Sequence, residues 1–348
     1  MDSVFHSLKR RPGRNLLRLG LGLTFTLIGG FAAAQGNAPG LDALTKAARA
    51  EGELTYYTSN AENVGRRIGS AFTAKYGIKT QFVRLNSVPL QQRYSTEAET
   101  GNFAADAIFI AGNATAYAAE GIKKGWIESI SEAGLPVIRS GEFPRAFNRG
   151  PTAIVQVSPW LIFFNTDKVK GADVPKDWPD LLDPKWKGQV LLADPRASDA
   201  HIPLWSIILD KYGEEFFHKL RAQGLRVFSG GPPTIQSLAA GEGSVAVPTI
   251  ESSVQEIKSK GGPLNTVTPD LTTGVEMHIV LTARTKAKHP NAARLFANYV
   301  MSPEGNKVFN DDPGGLTIYD TKNLPKDYRA PDQGALARKE RIFKLLGF

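Results

Sequence analysis

The sequence predicts two α/β lobes joined by a hinge, and three observations predict it. Strand, polar turn and helix repeat three times between Leu54 and Glu120. A second α/β set runs from Gln189 to Lys260, and a late strand over 274–282 leads back to the first. Repeated strand–helix units imply a mostly parallel sheet with helices on both faces, whose ligands sit beyond the carboxyl ends of the strands. At 348 residues, 42% hydrophobic and 22% charged, the chain has the size for two such domains and the composition of a globular protein.

The amino terminus reads differently. Lys9, Arg10, Arg11, Arg14 and Arg18 precede an apolar run over 19–31, and Ala32-Ala33-Ala34 offers small residues before Gln35. This is the pattern of a secretory signal cleaved near Ala34. The apolar run is shorter than the roughly 18 residues that span a bilayer. Arg10-Arg11 hints at twin-arginine export, but Pro12-Gly13 follows where that signal carries a bulky apolar pair, so ordinary secretion is expected. Without residues 1–34, 37 basic residues face 33 acidic ones, so the whole-chain +8 becomes +4. No basic run exceeds three residues after the signal, and neither nucleic acid nor a membrane surface is an expected partner. Zero cysteines exclude disulfides, thiolate metal sites, cysteine nucleophiles and a lipid anchor on cysteine.

Along the first lobe, a β-rich run over 54–58 ends in Thr58-Ser59-Asn60, and Val64, Ile68, Ala71 and Phe72 then share one helical face. Gly77 stops that helix. A second strand over 78–85 meets the turn Asn86-Ser87, and a helix follows over 88–100. The third strand, 105–110, leads through Ala111-Gly112-Asn113 into a helix reaching Glu120. The rhythm is lost over 135–150, and two β-prone runs surround Ser158-Pro159-Trp160, the expected crossing.

In the second lobe, Trp178, Leu181 and Leu182 form an apolar turn closed by Asp183-Pro184. Lys187-Gly188 launches a buried strand over 189–193, which opens into the loop Asp194-Pro195-Arg196-Ala197-Ser198. A helix over 202–220 carries a break at Gly213, and a strand follows over 225–228. Gly230-Gly231-Pro232-Pro233 precedes a helix capped by Thr234. A buried strand over 245–247 exits through Pro248-Thr249-Ile250-Glu251-Ser252 into a helix over 254–260. After the returning strand come helices over 292–300 and 303–310, the latter with Ser302 as N-cap, and an amphipathic tail over 336–346. The expected division is a signal at 1–34, lobe 1 at 35–155 plus 275–348, and lobe 2 at 156–274.

The run Trp178-x-Asp180-Leu181-x-Asp183-Pro184-x-Trp186-Lys187-Gly188, followed after a strand by Asp194-Pro195-Arg196-x-Ser198, resembles the periplasmic solute-binding proteins of ABC importers. The resemblance is to the cluster of ferric-ion, polyamine, thiamine and phosphonate binders, and Asn165-Thr166-Asp167-Lys168 adds to it. It implies the two-lobed type II binding-protein fold. It also implies a monomer without cofactor that captures a small solute between its lobes and delivers it to an inner-membrane permease with its cytoplasmic ATPase. Such a protein catalyses nothing. A hydrolase or a sensory binding protein on the same fold are the competing classes.

Hydrolase signatures are absent: no G-x-S-x-G, no H-E-x-x-H and no S-x-x-K set. Ferric binders commonly present adjacent tyrosines after a strand that follows a Gly-Glu pair. Here Gly241-Glu242 opens that segment, but the exit reads Thr249-Ile250-Glu251-Ser252, without the hard phenolates that suit Fe(III). His201, His218, His278 and His289 are scattered singly and read as structural or surface residues. No metal site is expected.

The strand ends supply the candidate ligand-binding residues: Thr58, Ser59, Asn60, Asn86, Ser87, Gly112, Asn113, Arg196, Ser198, Ser229, Gly230, Glu251 and Ser252. Trp160 joins them as a ring beside the crossing. Backbone N–H groups at the following helix starts favour an anionic group. Arg196 and Glu251, on facing exits of neighbouring strands, are expected to hold opposite ends of an anionic or zwitterionic solute.

Overall fold

The computed structural model describes residues 40–312 and 316–348. The signal segment and its cleavage site lie outside the described residues. Among the described residues, no helix is long and apolar enough to cross a membrane.

The first half alternates α1 (Leu41–Glu51), β1 (Glu53–Thr58), α2 (Glu62–Tyr76), β2 (Lys79–Arg84), α3 (Ser87–Glu99), β3 (Ala107–Ala111) and α4 (Ala114–Lys123). Two short elements, β4 (Ile127–Glu128) and α5 (Pro136–Arg139), lead to β5 (Ala153–Pro159). One residue later β6 (Leu161–Asn165) begins, followed by β7 (Val190–Ala193), α6 (His201–Ala222), β8 (Arg226–Phe228), α7 (Gly231–Ala239), β9 (Val245–Thr249), α8 (Gln255–Ser259) and β10 (Leu264–Val267). The chain closes with β11 (Gly274–Thr282), α9 (Pro290–Met301), α10 (Pro303–Phe309) and α11 (Lys339–Leu346).

These strands make two sheets. One runs β2-β1-β3-β11-β4, with β5 also on β11, and the other runs β10-β6-β9-β7-β8. Parallel pairing is confined to β2-β1-β3 in the first and to β9-β7-β8 in the second. The strands next to the crossings pair antiparallel. Helices α2, α3, α6 and α7 depart from the carboxyl ends of the parallel strands β1, β2, β7 and β8.

The first core stacks aromatic rings against the sheet. Tyr56 lies 4.9 Å from Phe296 and 5.6 Å from Phe82, centroid to centroid. Glycine is required at Gly69, where a Cβ would meet the Tyr56 hydroxyl at 2.6 Å. In the second core Trp178 is fully buried beside Trp205 and donates from Nε1 to Leu271 O at 2.6 Å, while Trp186 donates to Asp180 O at 2.9 Å. The tryptophans of the family-like run thus pack the lobe and satisfy backbone carbonyls. Gly213 takes φ 70°, and α6 kinks there as the sequence predicts.

The chain changes sheets at Trp160 and again between β10 and β11. The two crossings lie side by side: Trp160 N donates to Thr273 O at 2.9 Å, and Thr272 Oγ1 donates to Trp160 O at 2.9 Å. A pair of adjacent extended strands is a compact hinge, because a few backbone torsions there rotate everything beyond them.

The tail departs from the expectation that 275–348 lies wholly in lobe 1. Helices α9 and α10 pack on the first sheet, but α11 packs on α6. Ile342, Leu345 and Leu346 form its buried face, and Lys339 reaches Asp199 at 2.9 Å while Arg341 reaches Glu214 at 2.6 Å. Amphipathicity shows that a helix buries one face but not which neighbour receives it.

Candidate functional site

Between the two sheets the strand exits enclose a cleft of about 580 Å³ of empty space, part of it open to solvent. From the first sheet come Ser59 and Asn60 after β1, Arg84, Asn86 and Ser87 at the end of β2, and Ala111 at the end of β3. From the second come Ala197, Ser198 and His201 after β7, Gly230 to Pro232 after β8, and Thr249, Ile250 and Ser253 after β9. Trp160, Val275 and Met277 form its floor at the crossing strands.

Four helices begin at this lining. N1 or the N-cap of α2, α3, α6 and α7 falls at Ala61, Ser87, His201 and Gly231, all of which line the cleft. Each helix start carries the positive end of a dipole. Free N–H groups are fewer: in α6 His201 N and Ile202 N donate to Ser198 O and Asp199 O and Pro203 has none, and in α7 only Gly231 precedes Pro232-Pro233.

Arg84 is the cation of the site. It closes β2, is half-buried, and its Nε donates to Asn60 O at 3.2 Å. Burial pulls its pKa down, while the charge of Glu62 acts in the opposite direction. Glu62 itself is paired with Arg66, and among the described residues no carboxylate lies within ion-pair distance of Arg84. A half-buried guanidinium with spare donors and no carboxylate within ion-pair distance is chemically suited to an anion.

Three further polar atoms at the cleft are buried and unpaired: Trp160 Nε1, His201 Nδ1 and Thr249 Oγ1. Burial pushes the His201 imidazole down to about 4, with weaker opposing effects from the carbonyls of Pro195 and Asp194, so the ring is neutral at neutral pH. Buried polar groups without partners are uncommon in native proteins, and these three face the cleft with hydrogen-bonding capacity unused. The described lining contains Arg84 and His201 as its ionisable groups and includes no carboxylate or phenol.

Of the residues the sequence singles out, the fold brings Ser59, Asn60, Asn86, Ser87, Trp160, Ser198 and Gly230 to this lining. Thr58 lies beneath it, accepting from Asn60 N at 3.1 Å and donating to Asn60 Oδ1 at 3.2 Å, and so shapes the turn. Ser229 offers its carbonyl to Asn86 Nδ2 at 2.8 Å. Gly112 packs on Asp199 and Ala200 beside the cleft, and Asn113 is the N-cap of α4.

Arg196 and Glu251 are not brought together. β7 and β9 do pair, but Arg196 is exposed, held by both oxygens of Asp194 and stacked 4.4 Å from the Phe348 ring. Glu251 and Ser252 instead line an adjoining cavity of about 1030 Å³ with Gln156, Ser158 and Asp312. Glu251 Oε1 there accepts from Gln255 at 2.6 Å and Lys258 at 3.1 Å. Each residue already has a counter-charge, so neither presents a free one to a solute.

The sequence reading missed Arg84, His201 and Thr249. A signal for Arg84 existed: it is the last residue of the second parallel strand, two positions before the Asn86-Ser87 turn. His201 and Thr249 gave none, because burial without a partner is a property of the assembled cleft.

Comparison with known proteins agrees with this architecture. The periplasmic binding protein AfuA from Actinobacillus pleuropneumoniae, solved with exogenous fructose-6-phosphate bound, superposes with a TM-score of 0.66 at 22% identity, covering 84% of this chain and 96% of that one. The substrate binding protein of an ABC transporter from Agrobacterium tumefaciens gives 0.70 at 18% identity, over 84% and 94%. Iron-bound HitA from Pseudomonas aeruginosa gives 0.63 at 17% identity, over 85% and 99%. These likenesses show the two-lobed fold. A protein of Haemophilus influenzae named only as uncharacterized is 28% identical over 275 residues, 76% of this chain and 78% of its own length. The pattern of the bacterial extracellular solute-binding proteins matches residues 117–335, more than half of the chain. The protein therefore belongs to the bacterial extracellular solute-binding family.

Proposed function

We propose that this chain captures a small organic anion between its lobes and presents the closed form, as a monomer, to an inner-membrane ABC permease with its cytoplasmic ATPase. The observation that carries the reading is Arg84: a half-buried guanidinium in the cleft with no carboxylate partner. The positive dipole ends of the four helices and the unpaired Trp160, His201 and Thr249 atoms support it. A solute with an anionic group and several hydroxyls matches this donor set. An amine does not, since the cleft lining offers it no carboxylate.

The protein acts as a binder without turnover. Among the described residues no hydroxyl hydrogen-bonds to either ring nitrogen of the neutral His201, so a serine or threonine of the cleft lacks the adjacent base that activates a nucleophile. It works in the periplasm after the signal is cleaved near Ala34, and intact-mass measurement of exported protein checks this by its loss of residues 1–34.

The deciding experiment is a thermal-shift panel of carboxylate, phosphate and amine solutes on purified protein, followed by calorimetric titration of Arg84→Gln. Solute at 100 times its dissociation constant stabilises by about 2.7 kcal/mol. Stabilisation by anions that Arg84→Gln abolishes supports the reading. Stabilisation by amines alone overturns it, and stabilisation by ferric citrate but not by citrate would favour an iron carrier of the same fold.

A further inference from the structure

The two rims of the cleft touch each other. Asn86, from the β2–α3 turn, donates from Nδ2 to Ser229 O across the mouth at 2.8 Å. Next to that carbonyl, Gly230 sits at φ +146° and is buried, and a Cβ there would stand 2.9 Å from Asn86 Nδ2. On the other flank, Gly112 at φ +83° meets Asp199 and the backbone of Ala200, where a Cβ would approach to 2.9 and 3.0 Å. Asp199 is held there by Lys339 of α11 at 2.9 Å. Both contacts bring a residue of the first sheet's rim against one from the second, and both use a glycine at positive φ: Gly230 leaves room for the Asn86 side chain, and Gly112 lets its backbone approach that of Ala200.

Asn86 is the informative member. It is the N-cap of α3, where Asn ordinarily accepts from its own helix, yet its side chain makes no cap bond. The amide reaches across the cleft instead. We propose that Asn86 is a positioning residue that latches the lobes through Ser229 and Gly230, and so sets the closed fraction of the protein before solute arrives. Apparent affinity scales with the fraction of molecules in the binding-competent state, so this residue tunes affinity without itself being the anion receptor. The proposal concerns the unliganded protein and stands apart from the identity of the solute.

The chain has no cysteine, so two can be introduced as unique labelling sites. Gln92 on α3 and Gln236 on α7 are both exposed and lie on opposite sides of the cleft. Protein carrying Gln92→Cys and Gln236→Cys is refolded from denaturant to strip co-purified solute and spin-labelled, and the inter-label distance distribution is measured without solute. The parent is expected to show a dominant short-distance population. Asn86→Ala should lower the short-to-long ratio roughly two- to tenfold, the usual worth of one neutral hydrogen bond. Asn86→Asp should do the same while keeping its melting temperature, because Asp caps a helix as well as Asn but cannot donate to Ser229 O. An unchanged distribution in Asn86→Asp, or a parent with no short-distance population, overturns the proposal. Failure of the anion reading leaves this result untouched, since no solute takes part.

Discussion

The indole of Trp160 lies tilted across the imidazole of His201, ring centroids 4.9 Å apart at 46°, and each ring carries a buried nitrogen with no partner. Trp160 is the residue at which the chain crosses between sheets, and His201 opens α6 on the far side. The hinge and the second lobe's main helix therefore meet at the floor of the cleft. A solute that takes up these two nitrogens ties hinge position to binding.

Thr249 Oγ1, also unpaired, gives the cleanest test of this floor. Thr249→Val removes a desolvated hydroxyl at nearly constant shape, so the unliganded protein should melt at the same or a higher temperature. Affinity for the solute that the panel identifies should fall about three- to tenfold, the value of one hydrogen bond. Melting curves and calorimetric titration read both. A drop in melting temperature with unchanged affinity would assign the hydroxyl to the fold instead.

Arg84 and Arg196 should behave oppositely. Arg84→Gln strands the solute's charge in a closed cleft, and losing one member of such a pair costs about 2–5 kcal/mol of binding, roughly 30-fold or more in dissociation constant. Its unliganded stability should hold or rise, because a half-buried cation without a counter-ion is removed. Arg196→Ala leaves affinity within threefold, since that guanidinium is exposed and already engaged by Asp194 and Phe348. Titration of the two variants side by side decides the assignment.

Stability should fall with acidification between about pH 6.5 and 4. Burial pushes His201 down to about 4 and His278 to about 3, the latter helped by the charge of Arg149. Across that window the unfolded chain binds protons that the folded one does not, so stability is lost as pH drops below the ordinary histidine value. For His201 alone this is on the order of 3 kcal/mol, at 1.36 kcal/mol per pKa unit. Glu276, 3.9 Å from His278, is shifted upward by burial and contributes with the opposite sign, gaining as pH falls. His278→Asn keeps a partner for Thr152, which contacts His278 Nδ1 at 2.9 Å, and should flatten the denaturation profile over this range. An unaltered slope would remove His278 from the account.

Gly305 tests the packing behind the first sheet. It lies in the first turn of α10, and a Cβ there would stand 1.9 Å from Tyr299 O at the end of α9. Backbone cannot yield as a flexible side chain does, so Gly305→Ala should cost about 3 kcal/mol, the upper end for overpacking. Chemical denaturation gives the number, and affinity measured where the variant remains folded should match the parent.

What the sequence determined by itself was whatever local physics decides. The period of apolar residues drew β1, β2, β3 and the helices between them; Gly77 and Gly213 marked a stop and a kink; and Ser158-Pro159-Trp160 marked the place where the chain changes sheets. The Trp178–Gly188 run was legible as a family resemblance because its tryptophans serve the packing of one lobe. The site was legible as a zone, the carboxyl ends of the strands, and six of the residues read from those ends line the cleft together with Trp160 from the crossing. Tertiary structure alone decided which charges face it. Arg84 ends one short strand and Arg196 follows another, but the first is left without a carboxylate in ion-pair distance and the second has Asp194 two residues away and the ring of Phe348 from the far end of the chain. The same holds for α11, whose apolar stripe could not name α6 as its partner. Absence of a partner and choice of neighbour depend on residues far apart in the chain, as Arg196 and Phe348 are, and no local pattern encodes them.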